Sequence, residues 1–459
     1  MKTLKDRFIN LYCFSSLKYT EIEEALNIDR NEVKILYKET KKERNEISII
    51  KTKFTKTRQT AFKNDFSKFY KWYMRQSQEC YYCGTTQEML TDIFRKGRKI
   101  LPYSSKKGFL KRSTGTLEIE RLDSNLDYSE GNLVLACPLC NNAKSNLISA
   151  NNFKEYFSYN MSQYLKHLYK VSENETNQVF ISDKLKYKVP QFYDDFQRLL
   201  SDNNIPLKEI SNTKDIWCRD YMPIQLYPNK FIFYSYNPDY LQDSYGESIK
   251  TNSLPFCRKL SLDLTIANII IDGGNVIKSK NCIILTDKIF TENTQSYTKN
   301  ELLTELKRLF ETNKIVIIPR DPEYNISKIN NKIVAKGEFF GHADGMVRFI
   351  SENKVVINDY SYNKKLRKKL LTTLDNANLE HEEMNFHVNN YNDSLNWAYI
   401  NFLHLKDFII VPVFDIEEDE QAIKMIGKLF PDHKILSLRS KEVVEKGGGL
   451  NCITWNILR

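Results

Sequence analysis

Two Cys-x-x-Cys pairs constrain this chain more than any other feature. Cys80 and Cys83 bracket Tyr81-Tyr82, and Cys137 and Cys140 bracket Pro138-Leu139. Four thiols at matching spacings, with Gly84 and Asn141 directly after the pairs, suffice to close a tetrahedral zinc site. Such a site staples one small domain and leaves most of the 459 residues to fold elsewhere. Nine cysteines is ordinary for this length, so the paired ones predict a structural zinc held by four thiolates before disulfides.

Charge divides the chain in the same way. Residues 1–170 carry 31 Lys+Arg against 19 Asp+Glu, whereas residues 171–459 carry 37 against 39. The excess concentrates in residues 41–112, with 19 basic and 6 acidic side chains. A localised excess of this kind is an electrostatic footprint for phosphate backbones, and a solvated lysine-rich face has the same composition. A hydrophobic content of 41% with 27% charged residues is that of a soluble globular protein and excludes collagen-like and wholly disordered classes. The longest apolar runs, such as 133–137 and 408–413, fall far below the roughly 18 residues of a membrane span. Residues 1–20 carry Lys2, Lys5, Asp6 and Arg7 where a signal peptide would be apolar, so the cytoplasm and no membrane partner are expected.

Residues 1–45 read as helices. Phe8, Leu11, Tyr12 and then Ile22, Ala25, Leu26 have helical spacing; Thr20 with Glu23 forms a capping-box pattern, and Asp29 can cap a third helix through Val33, Leu36 and Tyr37. The stretch resembles a helix-turn-helix, which implies that Arg30, Asn31, Lys34 and Lys38 face the DNA major groove. A helical hairpin without a nucleic-acid role has the same pattern. Residues 46–170 form the basic, zinc-bound domain. Between the knuckles, Leu117 to Asp123 reads as a strand, and the pieces GNLVLAC and CNNAKS as a second strand followed by a knuckle opening a helix. Over about 66–170 this resembles the small ββα module of HNH endonucleases, which implies a nuclease site at Glu118, Glu120, Arg121, Asn132 and Asn141. HNH nucleases usually place a general-base His at the end of the first strand. This chain has Glu120-Arg121 there, and none of its six histidines lies between the knuckles. Arginine cannot be deprotonated near neutral pH, so Arg121 cannot be the base. Glu118, Glu120, Asp123 and Asn132 are still candidates to hold a divalent metal ion that activates water. Two readings stand: a nuclease with altered chemistry, or a zinc-stapled binder of DNA or RNA.

Residues 171–178 are polar and lack periodicity, which reads as a linker. Beyond them, residues 179–459 alternate β-rich runs (231–236, 269–271, 282–285, 315–318) with helical stretches such as 299–310, an α/β pattern without a visible internal repeat. Four islands place reactive residues inside tight, Gly- or Pro-marked turns. They are Trp217-Cys218-Arg219-Asp220-Tyr221-Met222-Pro223, Asp272-Gly273-Gly274-Asn275, Gly341-His342-Ala343-Asp344-Gly345, and Gly447-Gly448-Gly449-Leu450-Asn451-Cys452. Together they supply a thiol, an imidazole and three carboxylates. Acids beside a thiol oppose its ionisation and suit an ordinary peptidase badly. They make sense when the substrate is itself a cation: two carboxylates grip a planar guanidinium, and the bound charge then favours the thiolate.

The pieces TKDIWCRDYMPIQ, IDGGNV, ILTDKIF, GHADGMVRFI and GGGLNCITWNI resemble the agmatine deiminase and bacterial peptidylarginine deiminase family from about Val179 onward. The resemblance implies a pentein propeller of five ββαβ-like units around a narrow central site, and a deiminase that needs no cofactor. It implies Cys452 as the nucleophile, His342 as the proton carrier, Asp220 and Asp344 as the guanidinium clamp, and Asp272 contacting the cation or orienting His342. Trp217, Arg219, Asn275 and Gly449 are further candidates to line the substrate. Asn451 stands where agmatine deiminases usually have His, and Asp272 where they often have Glu, so agmatine, free arginine, peptidyl arginine and other guanidino compounds all stay open. The whole chain therefore reads as a guanidine deiminase with a nucleic-acid-binding front. The alternative is an HNH-type nuclease whose pentein domain senses a guanidino ligand, in a defence role; the oligomeric state is not readable.

Overall fold

The computed structural model describes residues 3–15, 17–55, 59–95, 115–321, 325–329, 332–336, 341–389 and 395–459. Part of the basic run at 41–112 lies outside them. The chain divides into two compact units, Met1–Tyr169 and Lys170–Arg459.

The first unit opens with four helices, α1 (Leu4–Phe14), α2 (Tyr19–Leu26), α3 (Arg30–Glu39) and α4 (Lys41–Lys51). Phe8, Ile22, Leu26, Val33 and Leu36 form a small core, as their helical spacing requires. Asn27 adopts a left-handed conformation (φ 55°) that ends α2, and the Asp29 carboxylate accepts the amides of Asn31 and Glu32 to start α3. The expected Thr20–Glu23 capping box is displaced. Helix α2 begins at Tyr19, and Glu21 reaches back to the Lys18 amide. A second core gathers Phe69, Trp72, Leu90, Ile119, Leu135 and Phe153 around the four buried cysteines. There Glu118–Arg121 pairs antiparallel with Leu133–Ala136, and the helix Pro138–Lys144 follows at once, the expected ββα order.

The second unit repeats one motif five times. In each repeat a first strand runs antiparallel to a second, a helical connection follows, and a third strand lies parallel to the second. Three repeats are Ile224–Gln225, Lys230–Ser235 and Asp263–Ile270; Ile277–Lys278, Cys282–Thr286 and Lys314–Ile318; and Val347–Ser351, Lys354–Ile357 and Glu380–Glu383. A fourth comprises Leu403–His404, Phe408–Val413 and Lys434–Arg439. The remaining repeat is closed by the C-terminus: Thr454–Ile457 pairs antiparallel with Gln178–Ser182, which lies parallel to Leu207–Ile210. Middle strands such as Gln178–Ser182 and Cys282–Thr286 are buried along their whole length, which explains their nearly continuous apolar text.

The stretch 171–178 belongs to this unit and is not a free linker. Val171, Ser172, Thr176 and Gln178 are buried, and Glu173 pairs with Arg348 at 2.7 Å. Polar composition misled because these side chains meet buried partners. No described helix is long and apolar enough to cross a membrane.

Candidate functional site

The fivefold topology explains how distant islands meet. Immediately before the first strand of every repeat the chain makes a short helical turn: Cys218–Tyr221, Gly273–Asn275, Ala343–Gly345, Asn396–Ile400, and the turn at 450–453. Side-chain and backbone bonds lace these turns into a ring. The Gly274 amide donates to Asp220 Oδ1 at 2.9 Å, and His342 Nε2 bonds Asp272 Oδ2 at 2.8 Å. Asn451 Nδ2 donates to Asp344 Oδ2 at 2.7 Å, the Asn451 amide donates to the Asn401 carbonyl at 3.1 Å, and the Arg219 amide donates to the Cys452 carbonyl at 3.1 Å.

A cavity of about 140 Å³ opens inside this ring. Its wall includes Cys452, His342, Asp220, Asp344 and Asn401, with Asp215 and the aromatic rings of Trp217, Tyr236, Tyr240 and Trp397. Cys452 Sγ lies 3.6 Å from Asp344 Oδ2 and 3.4 Å from Asn401 Oδ1, and the Gly449 amide points at it from 3.4 Å. On the other side of His342, Nδ1 is 3.8 Å from Asp220 Oδ1. Burial pushes the Asp220 carboxyl up to about 7; the neighbouring Asp272 and Asp344 add to this, and His342 opposes it. Asp215 is likewise raised to about 7 by burial, against a hydrogen bond from the Trp217 amide. Asp272 behaves differently. Burial alone would raise it, but the His342 hydrogen bond and the Lys288 ammonium, 3.1 Å away, hold it below the ordinary range. Lys288 also pairs with Glu292 and Asp239.

The anticipated residues thus divide. Cys452, His342, Asp220, Asp344 and Trp217 reach the cavity. Asp272 lies behind His342, hydrogen-bonded to its Nε2 with the carboxylate inaccessible, and does not line the cavity. Arg219 turns away. Its guanidinium bonds the Asn451 carbonyl at 3.3 Å and Asn456 Oδ1, so it braces the Cys452 turn from outside the cavity. Asn275 Oδ1 accepts the Thr286 amide at 2.9 Å, and the Thr286 hydroxyl donates to the Gly341 carbonyl at 2.6 Å, which fixes the turn bearing His342. A Cβ on Gly449 would stand 2.6 Å from Asn401 Oδ1, so glycine there permits close packing. Asn401 was not foreseen. Its Oδ1 accepts the amides of Asn451 (2.9 Å) and Cys452 (3.3 Å), yet its turn, Asn396–Ile400, carries no Gly or Pro to mark it in the sequence.

In the first unit the ligand sulfurs of Cys80, Cys83, Cys137 and Cys140 all lie within 4.8 Å of one another, with 3.8 Å between Cys83 and Cys137. Zinc–sulfur bonds of about 2.3 Å in a tetrahedron place sulfurs roughly 3.8 Å apart, so this donor set fits zinc. Of the expected nuclease residues, Glu118 and Asn141 bond each other, and Glu120, Arg121 and Asn132 bond other groups. Glu120 pairs with the fully buried Lys144 at 2.8 Å, and Glu118 accepts Asn141 Nδ2 at 2.6 Å. Asn132 spans the backbone of Asp123 and Asp127, and Arg121 donates to the Leu126 carbonyl while lying over Tyr128. Among the described residues the cysteines are the only cluster of three or more His, Cys, Asp or Glu ligand atoms, and the expected divalent-metal donors Glu118, Glu120, Asp123 and Asn132 form no such cluster of acids. Arg30, Asn31, Lys34 and Lys38 are all exposed on α3, although Arg30 is also drawn to Glu23 at 2.9 Å.

Against known proteins, the family model of the Porphyromonas-type peptidyl-arginine deiminase matches residues 148–457. "Putative agmatine deiminase 2" of Listeria monocytogenes is 23% identical over 316 residues, which is 58% of this chain and 80% of that protein. The agmatine deiminase of Pseudomonas syringae pv. syringae is 39% identical over a shorter stretch of 57 residues, 12% of this chain and 16% of its own. A solved agmatine deiminase from C. jejuni, 20% identical, covers 63% of this chain and 96% of its own with a TM-score of 0.50, a likeness of fold.

Proposed function

The chain belongs to the Porphyromonas-type peptidyl-arginine deiminase family, hydrolases of amidine C–N bonds, and from that premise we propose how residues 170–459 deiminate a guanidino compound. The convergence of Cys452, His342, Asp220 and Asp344 on one acidic, aromatic-walled cavity carries the reading. A planar guanidinium enters between Asp220 and Asp344, whose carboxylates accept its N–H groups. Its charge compensates the clustered acids and favours the Cys452 thiolate, which attacks the guanidinium carbon. His342, oriented by Asp272, gives a proton to the departing nitrogen; ammonia leaves and an amidino-thioether remains on Cys452. His342 then takes a proton from water, which adds to the same carbon. Collapse breaks the C–S bond, frees the ureido product and restores the thiol. No step calls for a cofactor.

The wall also favours one tail. It offers Asp215 and four aromatic rings, and the described residues that line it include neither Lys nor Arg. A neutral or cationic tail fits such a wall, whereas the carboxylate of free arginine meets negative charge. Ureido-product formation with agmatine, free arginine and an arginine-containing peptide tests this. We expect turnover with agmatine at least tenfold more efficient than with arginine, and loss of product in Cys452→Ala. Equal turnover of arginine would overturn the tail assignment, and none with any of the three would overturn the deiminase.

For residues 1–169 we infer a zinc-stapled nucleic-acid-binding front, supported by the exposed basic face of α3 and the excess of 31 basic over 19 acidic residues in 1–170. Because Lys144 takes up Glu120, and the 123–127 loop takes up Arg121 and Asn132, binding without cleavage is the better-supported reading. DNA and RNA titrations over a salt series test it: affinity should fall steeply with salt, and salt-independent or absent binding would remove the proposal.

A further inference from the structure

Behind the Cys452 turn lies a small second cavity, of about 30 Å³, with Arg219, Lys278, Glu173, Thr176, Asn456 and Gln225 among its walls. Its charges do not balance. Among the described residues the cations Arg219, Lys278, Lys280 and Arg348 stand against two carboxylates, and both of these are taken: Glu173 pairs with Arg348 at 2.7 Å and Glu175 with Lys280 at 3.0 Å. Among the described residues neither Arg219 nor Lys278 forms an ion pair; Lys278 donates to the Val171 carbonyl, and Arg219 to Asn451 and Asn456. Both keep N–H donors beyond these bonds, since an ammonium offers three and a guanidinium five. His404, whose protonation is suppressed by burial, adds no charge here. Burial also draws the Lys278 ammonium down to about 8, against the upward pull of Glu173 and Glu175. Two cations in a confined space of low dielectric, neither paired with a carboxylate, leave an electrostatic cost that an anion offsets.

We propose that this cavity binds one small monovalent anion, of halide size, between Arg219 and Lys278. The volume decides the class. About 30 Å³ holds one or two water-sized particles and excludes phosphate or a nucleotide. The ligand would also tie the guanidinium of Arg219, and through it the Asn451 and Cys452 backbone, to the repeat that carries Lys278. This inference is independent of the deiminase reading, because it concerns a separate cavity and its test does not use turnover.

The test uses the full chain in two measurements. Thermal unfolding is followed in chloride and in gluconate at equal ionic strength, for wild type and Lys278→Met. A midpoint higher by about 2–4 °C in chloride is expected for wild type and absent in the variant. Crystals grown or soaked in bromide should show anomalous density between the Arg219 guanidinium and Lys278 Nζ. The same midpoint in both salts, or crystals without bromide at that place, would overturn the proposal. The bromide experiment needs only wild type, so it decides the matter even if the variant folds poorly.

Discussion

Asn401 shows at the scale of one residue how the nucleophile is held. One carboxamide oxygen takes two consecutive amides, of Asn451 and Cys452, and lies 3.4 Å from the sulfur. Asn401→Ala removes an acceptor from two buried donors and should lower kcat by about 10–100-fold with the fold retained, read by steady-state kinetics beside circular dichroism. The pH dependence belongs here too. Asp220 is raised to about 7, so below that pH its carboxyl is protonated and cannot accept a guanidinium charge. KM for a guanidino substrate should therefore rise as pH falls through about 7, and Asp220→Asn should flatten that rise while weakening binding throughout. The same shift has a stability sign. A folded value above the unfolded one of about 3.9 means that the folded state holds more protons between the two. Asp215 and Asp220 should therefore make the ligand-free unit more stable at pH 5.5 than at pH 8, measurable by thermal unfolding at both.

Sequence reasoning succeeded for elements wherever backbone geometry leaves a chemical mark. Gly273 and Gly274 mark one of the ring's turns and Gly448 the approach to another, because a Cβ at each would collide with Arg219, with the Asp220 and His342 side chains, or with the Trp217 ring. The turn at Asn396–Ile400 carries no glycine or proline and stayed hidden with Asn401. The fivefold repeat was hidden for a related reason. It resides in strand order and direction, while its strands differ in length from two residues at Ile224–Gln225 to eight at Asp263–Ile270. Arg219, a candidate to line the substrate, sits beside Asp220 in the same short helical turn, whose successive residues point in different directions. In the first unit the cysteine cluster makes an element-level prediction. A strong chelator should unfold the domain built around Cys80, Cys83, Cys137 and Cys140 while the sheets of the second unit persist, seen as loss of amide-exchange protection confined to the first unit. Uniform protection after metal removal would mean that apolar packing alone holds that core.

For the whole molecule, the excess of basic residues lies in 1–170, nearly all of it the unit Met1–Tyr169, while the deiminase-family match covers 148–457. A combined Arg30→Ala, Lys34→Ala, Lys38→Ala variant should bind nucleic acid more weakly and with a shallower salt slope, leaving deimination without nucleic acid unchanged. If added nucleic acid leaves the deimination rate and the oligomeric state unaltered, the front does not gate the enzyme. The central claim, however, rests on Cys452 forming a covalent intermediate. Acid-quenching the full-length protein during turnover of agmatine and mapping its peptides by mass spectrometry tests this most directly. The account predicts an amidino group on the peptide bearing Cys452, absent from Cys452→Ala and from protein without substrate. Steady ureido-product formation with that peptide unmodified and the variant fully active would contradict it.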